Sequence, residues 1–138
     1  MVGLVDPGVA DAFLRPAASE LLPAAAQTAP VIDPDGWRRN QPLPPNWVDG
    51  NRVRYAVSFA RDLDESDTGP WSVWIVLRGQ YFPTLRNVPV DPSGRAKKRC
   101  VFRQIAFPDG RGGYTFGEYV FVGELADNTT TTFVDEKP

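Results

Sequence analysis

The densest basic cluster in the sequence lies between residues 95 and 103. It contains Arg95, Lys97, Lys98, Arg99 and Arg103. Phenylalanines lie beside these cations, and cations next to aromatic rings are typical of proteins that bind single-stranded nucleic acid. In a strand, however, the charges would divide between two faces, and charged residues also protect exposed strand ends. The run therefore indicates either nucleic-acid contact, contact with an acidic neighbouring subunit or, as we favour, a solvated strand end.

Four carboxylates, Asp62, Asp64, Glu65 and Asp67, fall within six residues. Oxygen ligands from one loop are what Ca²⁺ requires, and the spacing resembles the start of an EF-hand loop. Asp67, however, occupies the position where that loop needs glycine, and Val73 stands where it needs its last carboxylate. We expect a solvated hairpin tip and no metal site.

Five aromatic residues could form a sugar-binding platform: Trp71, Trp74, Tyr81, Tyr114 and Tyr119. Aromatic side chains at alternating strand positions more often belong to a hydrophobic core. The core is the interpretation that we favour for these residues.

The sequence offers little for catalysis. Histidine is absent, which removes the commonest general base and the usual partner of a serine or cysteine nucleophile. The single cysteine, Cys100, is expected to be a small buried apolar residue. Glu118 and Glu124 would lie about 20 Å apart on one strand, too far for an acid–base pair. We expect no enzyme activity and no cofactor.

Length and charge limit the class of protein. The 138 residues suit one domain, and 15 basic against 17 acidic side chains give a net charge of −2, which argues against a surface committed to nucleic acid or anionic lipid. One cysteine cannot form an internal disulfide. The start, Met1 to Pro7, lacks the pattern of a signal peptide, so synthesis in a cytoplasm and no membrane contact are expected.

Residues 1–50 differ in composition from the rest and are predicted to form an interaction arm. Alanine-rich stretches favour short helical pieces, whereas residues 29–49 have the pattern of neither helix nor strand. Such an arm would lie on neighbouring subunits, with Val31, Ile32, Trp37 and Trp47 as anchors, or would wrap its own domain. Its removal should leave a folded β-domain. Eight of the 14 prolines lie in this arm: Pro7, Pro16, Pro23, Pro30, Pro34, Pro42, Pro44 and Pro45.

Residues 51–138 have the pattern of an antiparallel β-domain. The stretch Arg52–Arg61 alternates apolar and polar residues, and Trp71–Leu77 is predicted to be the central strand, with Trp71 and Trp74 on opposite faces. Long hairpin arms are predicted at 97–107 and 114–125, and a short final strand at 129–134. The predicted fold is mainly β, an antiparallel β-sandwich or small β-barrel preceded by a proline-rich N-terminal arm with short helical pieces.

An arm followed by a compact β-domain with no catalytic residues is typical of a protein that works by assembly. The expected function is that of a non-catalytic structural protein of a virion, such as a phage capsid decoration protein or a head–tail or tail component. Its expected partners are copies of itself or other structural subunits. The alternatives are a nucleic-acid-binding β-barrel that uses residues 95–103 and a carbohydrate-binding β-sandwich.

Overall fold

The computed structural model describes residues 23–33, 38–39, 48, 50–77 and 81–137, with the backbone alone at 38, 39 and 81. Within these ranges all regular structure is β. The strands are β1 (Val31–Ile32), β2 (Arg38–Arg39), β3 (Arg52–Arg61), β4 (Asp64–Glu65), β5 (Ile75–Val76), β6 (Tyr81–Phe82), β7 (Thr84–Arg86), β8 (Lys98–Pro108), β9 (Tyr114–Phe116), β10 (Val120–Leu125) and β11 (Phe133–Val134).

Two long antiparallel strands, β3 and β8, form the centre of the largest sheet. They pair continuously from Arg52 opposite Ala106 to Ala60 opposite Lys98. The sheet order is β10-β8-β3-β4, with β5 also on β3 and β9 also on β8, and a bulge interrupts β10 between Phe121 and Gly123. The smaller sheets are β1-β7-β11 and β2-β6, and all the pairs are antiparallel. The prediction of a mainly β, antiparallel fold is confirmed, and the sheets curl into a half-barrel.

The core lies between the inner face of the largest sheet and the β1-β7-β11 sheet. Val53, Tyr55, Val57 and Phe59 on β3 are all buried, as their alternation predicts. They belong to one apolar cluster with Leu85 from β7 and residues of β1, β8 and β10. Burial of this cluster is the main source of the stability of the domain.

The segment predicted to be the central strand is instead an irregular edge. Ser66, Gly69 and Ser72 donate their backbone N–H to the carbonyls of Phe59, Val57 and Tyr55. Three residues of the edge therefore match every two of β3, a repeated bulge rather than a ladder. In return, the N–H groups of Phe59 and Tyr55 donate to the hydroxyls of Ser66 and Ser72. At these two positions a serine hydroxyl, and not a backbone carbonyl of the edge, accepts the hydrogen bond from β3. Of the segment predicted to be the central strand, only β5 therefore pairs as a strand.

The exposure of the edge agrees with this correction. Val73 is 74% exposed and Val76 is 50% exposed, values that no central strand would show. A repeat of three residues also puts residues three apart, such as Trp71 and Trp74, on the same face. The central strands are β3 and β8, whose inner-facing residues are nearly all buried and whose outer-facing residues are buried or half-buried along most of their length.

Residues 23–33, which fall within the predicted arm, pack against the β-domain. Val31 and Ile32 pair with Arg86 and Leu85, and Ile32 is buried in the core cluster. Ala26 is also buried, and its carbonyl oxygen lies 2.6 Å from the point where a Cβ at Gly69 would stand. The predicted helical pieces before residue 23, and Trp37 and Trp47, lie outside the described residues.

Within the part of the chain that the structure describes, no helix is long and apolar enough to span a membrane.

Candidate interaction surface

Arg99, at the centre of the predicted basic surface, has no exposed side-chain area. Its guanidinium donates to the carboxylate of Asp127 at 3.0 Å and to the carbonyl oxygens of Pro89, Asp127 and Thr130. Asp127 also accepts hydrogen bonds from the N–H and the hydroxyl of Thr130 and from the N–H of Thr129, and these bonds, with that of Arg99, hold the pKa of its carboxyl well below the usual value. Arg99 therefore fastens the loop after β10 to the domain and is closed to a partner.

Arg103 is also turned inward. It is 3% exposed, and its guanidinium donates at 2.8 Å to the fully buried carboxylate of Asp135. The hydroxyl of Tyr55 donates to the same carboxylate oxygen at 2.6 Å. Burial raises the pKa of Tyr55 well above its usual value, and the charge of Asp135 raises it further, so the hydroxyl remains the donor. This buried ionic triad, Tyr55–Asp135–Arg103, ties the segment after β11 to the two central strands.

The other three cations of the basic run lie nearer the surface of the domain, away from those two arginines. Lys97 is bonded to Asp62 at 2.9 Å, and Lys98 lies 3.7 Å from Glu124. Arg95 is half-buried in the turn before β8. The structure therefore divides the five predicted residues among separate environments and does not bring them together as one basic surface.

The acidic hairpin contains no cluster that would hold a metal, and the described residues as a whole contain none. Asp62 and Asp64 are exposed, as expected for a hairpin tip. The hydrogen bond and charge of Lys97 lower the pKa of Asp62. Cys100 is buried, and burial raises the pKa of its thiol, so it is not activated as a nucleophile at neutral pH.

A series of aromatic rings covers the outer face of the largest sheet. Ring centroids lie 5.7 Å apart for Trp71 and Tyr119, 5.8 Å for Tyr119 and Phe102, and 6.0 Å for Phe102 and Phe121, all edge-to-face. Trp74 and Phe116 form a further pair at 5.6 Å. Each such pair contributes about 0.5–1.5 kcal/mol beyond its area burial. We call this set of six rings the aromatic face.

Arg54 joins the two parts of the aromatic face. Its guanidinium carbon lies 4.7 Å from the ring centroid of Trp71 and 4.6 Å from that of Trp74. Its Nε donates to Gln104, whose amide donates to the carbonyl of Gly117. Arg54 thus holds both indoles in place, while Arg52 stacks on Tyr114 at 4.3 Å beside them.

The aromatic face is open to solvent at its rings from the last hairpin. Phe116 is 62%, Tyr119 58% and Phe121 45% exposed, whereas both tryptophans and Phe102 are half-buried. The half-buried rings therefore lie against the sheet, and the exposed rings face the solvent. Three residues of the sugar-platform alternative, Trp71, Trp74 and Tyr119, share it, and the core interpretation does not hold for Tyr119.

Sequence reasoning missed Arg54, Phe102, Phe116 and Phe121 as members of this surface. Alternation along β3 does place Arg54 on the outer face, and the strand register then puts Gln104 opposite it. The sequence gives no sign of the three-residue repeat along the edge, and it is this repeat that brings Trp71 and Trp74 to the same arginine.

A shallow cavity of about 480 Å³ opens near the inner face, lined by Arg103, Ile105, Phe107, Gly117, Glu118, Val120 and Lys137. The guanidinium of Arg103 at its wall is bonded to Asp135 and to the carbonyl of Lys137. The guanidinium of Arg103 is thus engaged within the chain, and we take the aromatic face as the candidate site because its exposed rings form a larger contiguous surface.

No protein-family model matches the chain.

Short matches join it to two spider toxins. It is 40% identical over 60 residues to Delta-latroinsectotoxin-Lt1a of Latrodectus tredecimguttatus, and 42% identical over 60 residues to Alpha-latrotoxin-Lhe1a of Latrodectus hesperus. Each match covers 44% of this chain but only 5% and 4% of the toxins, respectively. A shared segment of this size relates part of the chain to a small part of each toxin.

Of the predicted anchors, Val31 is 37% exposed, whereas Ile32 is 6% exposed and contributes to the core of its own chain.

Proposed function

We propose that this protein is a non-catalytic structural subunit that assembles with copies of itself or with other structural subunits through its aromatic face. The observation that supports this proposal is the exposure of Tyr119 and Phe121 within one series of rings, with the exposed ring of Phe116 beside it on Trp74. Exposed contiguous apolar patches mark interaction sites, and aromatic residues are enriched where interfaces bind most strongly.

The layout of the chain supports a place in a virion. A proline-rich stretch followed by a small β-domain is typical of structural proteins of tailed phages, including capsid decoration proteins and head–tail or tail components, and we propose this class by analogy. In this proposal residues 1–50 include an arm with short helical pieces, the sheets close as a sandwich or small barrel, and Trp37 and Trp47 anchor the arm on a neighbour. The protein would be made in a cytoplasm and then incorporated in the particle.

The oligomeric state of the full chain tests the proposal. We expect sedimentation velocity to show concentration-dependent assembly that a Tyr119→Ser, Phe121→Ser double variant loses. Both side chains are about half-exposed, so the fold should survive. The control is Leu63→Ser, because Leu63 is fully exposed at the β3–β4 hairpin, and it should assemble as the unaltered chain does. Unchanged assembly of the double variant, or a chain that is monomeric at every concentration, would contradict the proposal.

Carbohydrate binding is the second candidate, because Trp71, Trp74 and Tyr119 lie on one face. It predicts a saturable change in tryptophan fluorescence with glycans. Arg54 and Gln104, the polar groups among these rings, are already bonded to each other, which leaves fewer partners for sugar hydroxyls. The nucleic-acid alternative has less support, because Arg99 and Arg103 are buried in ion pairs.

A further inference from the structure

We infer that the aromatic face binds the aromatic face of a second copy, so that two chains form a closed dimer with two-fold symmetry. This inference rests on the proposed function, since it names the partner of the face and limits the contact to two chains. The β1-β7-β11 sheet covers the inner side of the largest sheet, whereas the outer side carries the exposed rings. Two sheets that pack face to face enclose a core, and a second copy supplies the second sheet for the outer side.

Among the described surfaces of the chain, the aromatic face is itself the best apolar partner for a copy of the face. Every exposed large aromatic side chain in the described ranges, namely Phe116, Tyr119 and Phe121, belongs to it. The other exposed large apolar residues are aliphatic: Val31, Val48, Leu63, Val73, Val76, Val90 and Val120. A contact with a different surface would cover the rings mainly with polar groups, whereas a contact between two faces buries rings on both copies. A surface that binds its own copy forms an isologous contact, which closes at two chains.

The orientation of the rings makes the face complementary to itself. Along the series from Trp71 through Tyr119 and Phe102 to Phe121, neighbouring ring planes are turned by 66°, 83° and 69°. The series therefore presents ring edges and ring faces in alternation. Aromatic rings prefer to pack with the edge of one ring against the face of another, and a second copy offers both.

The charges on the outer side of the sheet also allow a copy to approach. A symmetric contact brings like charges together, so it requires charges that are balanced or already engaged. Arg54, the cation among the rings, stacks on two indoles and donates to Gln104. Beyond Phe102 along the same side of the sheet, Lys98 and Glu124 lie 3.7 Å apart and balance each other.

The exposed ring surface is of the size that a reversible dimer needs at its centre. One aromatic side chain offers about 150–250 Å² of surface, so the exposed parts of Phe116, Tyr119 and Phe121 amount to roughly 250–400 Å² per copy. A specific interface of standard size buries about 800 Å² per partner, with an apolar centre and a polar rim. The rings supply that centre, and the residues around them form the rim. We therefore expect a dimer that dissociates in the micromolar range.

Recruitment of a face variant by the unaltered chain tests the inference. The full-length Tyr119→Ser, Phe121→Ser variant, labelled with a fluorophore, would be mixed with an excess of unaltered chain and followed by sedimentation velocity. A contact between two faces needs rings on both copies. We therefore expect the labelled variant to bind the unaltered chain at least about tenfold more weakly than labelled unaltered chain does. A labelled Leu63→Ser variant is the control, and it should enter dimers as readily as the unaltered chain.

The outcomes separate this inference from the proposed function. If the labelled variant is monomeric alone but is recruited with undiminished affinity, the intact face meets a different surface of its neighbour, and only this inference fails. Growth of the unaltered chain beyond two copies, through a contact that the double variant loses, would likewise overturn this inference alone. If the unaltered chain is monomeric at every concentration, or the double variant assembles as the unaltered chain does, the proposed function fails and this inference fails with it.

Discussion

At the scale of single residues, the buried ionic triad determines how the end of the described chain is held. Asp135 has no exposed area, and it is bonded to Tyr55 on β3 and Arg103 on β8. Its own backbone N–H donates to the carbonyl of Pro83, beside β7. Through its carboxylate and its backbone N–H, this one residue thus joins both sheets that enclose the core, although the sequence shows it only as part of a charged tail.

Replacement of Asp135 by asparagine should strongly destabilise the protein. The variant keeps the shape of the side chain but leaves the guanidinium of Arg103 buried without its counter-charge, a change that typically costs about 3–5 kcal/mol. Urea unfolding followed by tryptophan fluorescence would measure the loss. Glu136→Gln is the matched control, since Glu136 is exposed, and it should change the free energy of unfolding by less than about 0.5 kcal/mol. Equal stability of the two variants would show that the triad contributes little.

At the scale of elements, the sequence predicted regular strands well and irregular ones poorly. Alternation along Arg52–Arg61 correctly identified Val53, Tyr55, Val57 and Phe59 as core residues. The run Trp71–Leu77 was read with the same two-residue period, although hydrogen bonds from Ser66, Gly69 and Ser72 give that edge a period of three. Side-chain hydroxyls accept in place of carbonyls there, and neither composition nor alternation reveals such a substitution. The prediction therefore placed Trp71 and Trp74 on opposite faces, although both stack on the same arginine.

Gly69 is the position where that edge allows residues 23–33 to approach. A Cβ at Gly69 would lie 2.6 Å from the carbonyl oxygen and 2.7 Å from the Cβ of Ala26. We therefore expect Gly69→Ala to destabilise the protein by about 1–3 kcal/mol, through overpacking, and to expose residues 23–33 to proteases. Urea unfolding and limited proteolysis would measure both effects. Ala26→Gly, added to the first change, should recover part of the loss; no recovery would place the strain elsewhere.

At the scale of the whole molecule, the arrangement of the β-domain was more predictable than its surface. Hydrophobic periodicity gave the fold class because it reports which residues are buried. The candidate site could not be derived in the same way, because the aromatic face depends on rings from four separate segments and on the register between them. The basic run illustrates the converse. Its residues are adjacent in sequence, yet a strand sends Arg99 and Arg103 inward and Lys98 outward.

Deletions from the N-terminus should separate the packed part of the predicted arm from the rest. The core cluster includes Ala26 and Ile32, and Pro30 is fully buried as well. The protein without residues 1–22 keeps all three of these residues and is the reference for the comparison. Removal of residues 1–49 should lower the free energy of unfolding below that of the reference by at least about 2 kcal/mol, the usual minimum for loss of one large buried side chain. Urea unfolding of both truncated proteins would decide, and equal stability would show that residues 23–33 add nothing to the core.

The position of Asp135 has a consequence for biosynthesis. β3 and β8 can pair as soon as both have left the ribosome, but the guanidinium of Arg103 then lies in the nascent domain without its counter-ion. The carboxylate that neutralises it is translated 32 residues later than the arginine. The final state of the domain should therefore form only after residue 135 has emerged from the ribosome.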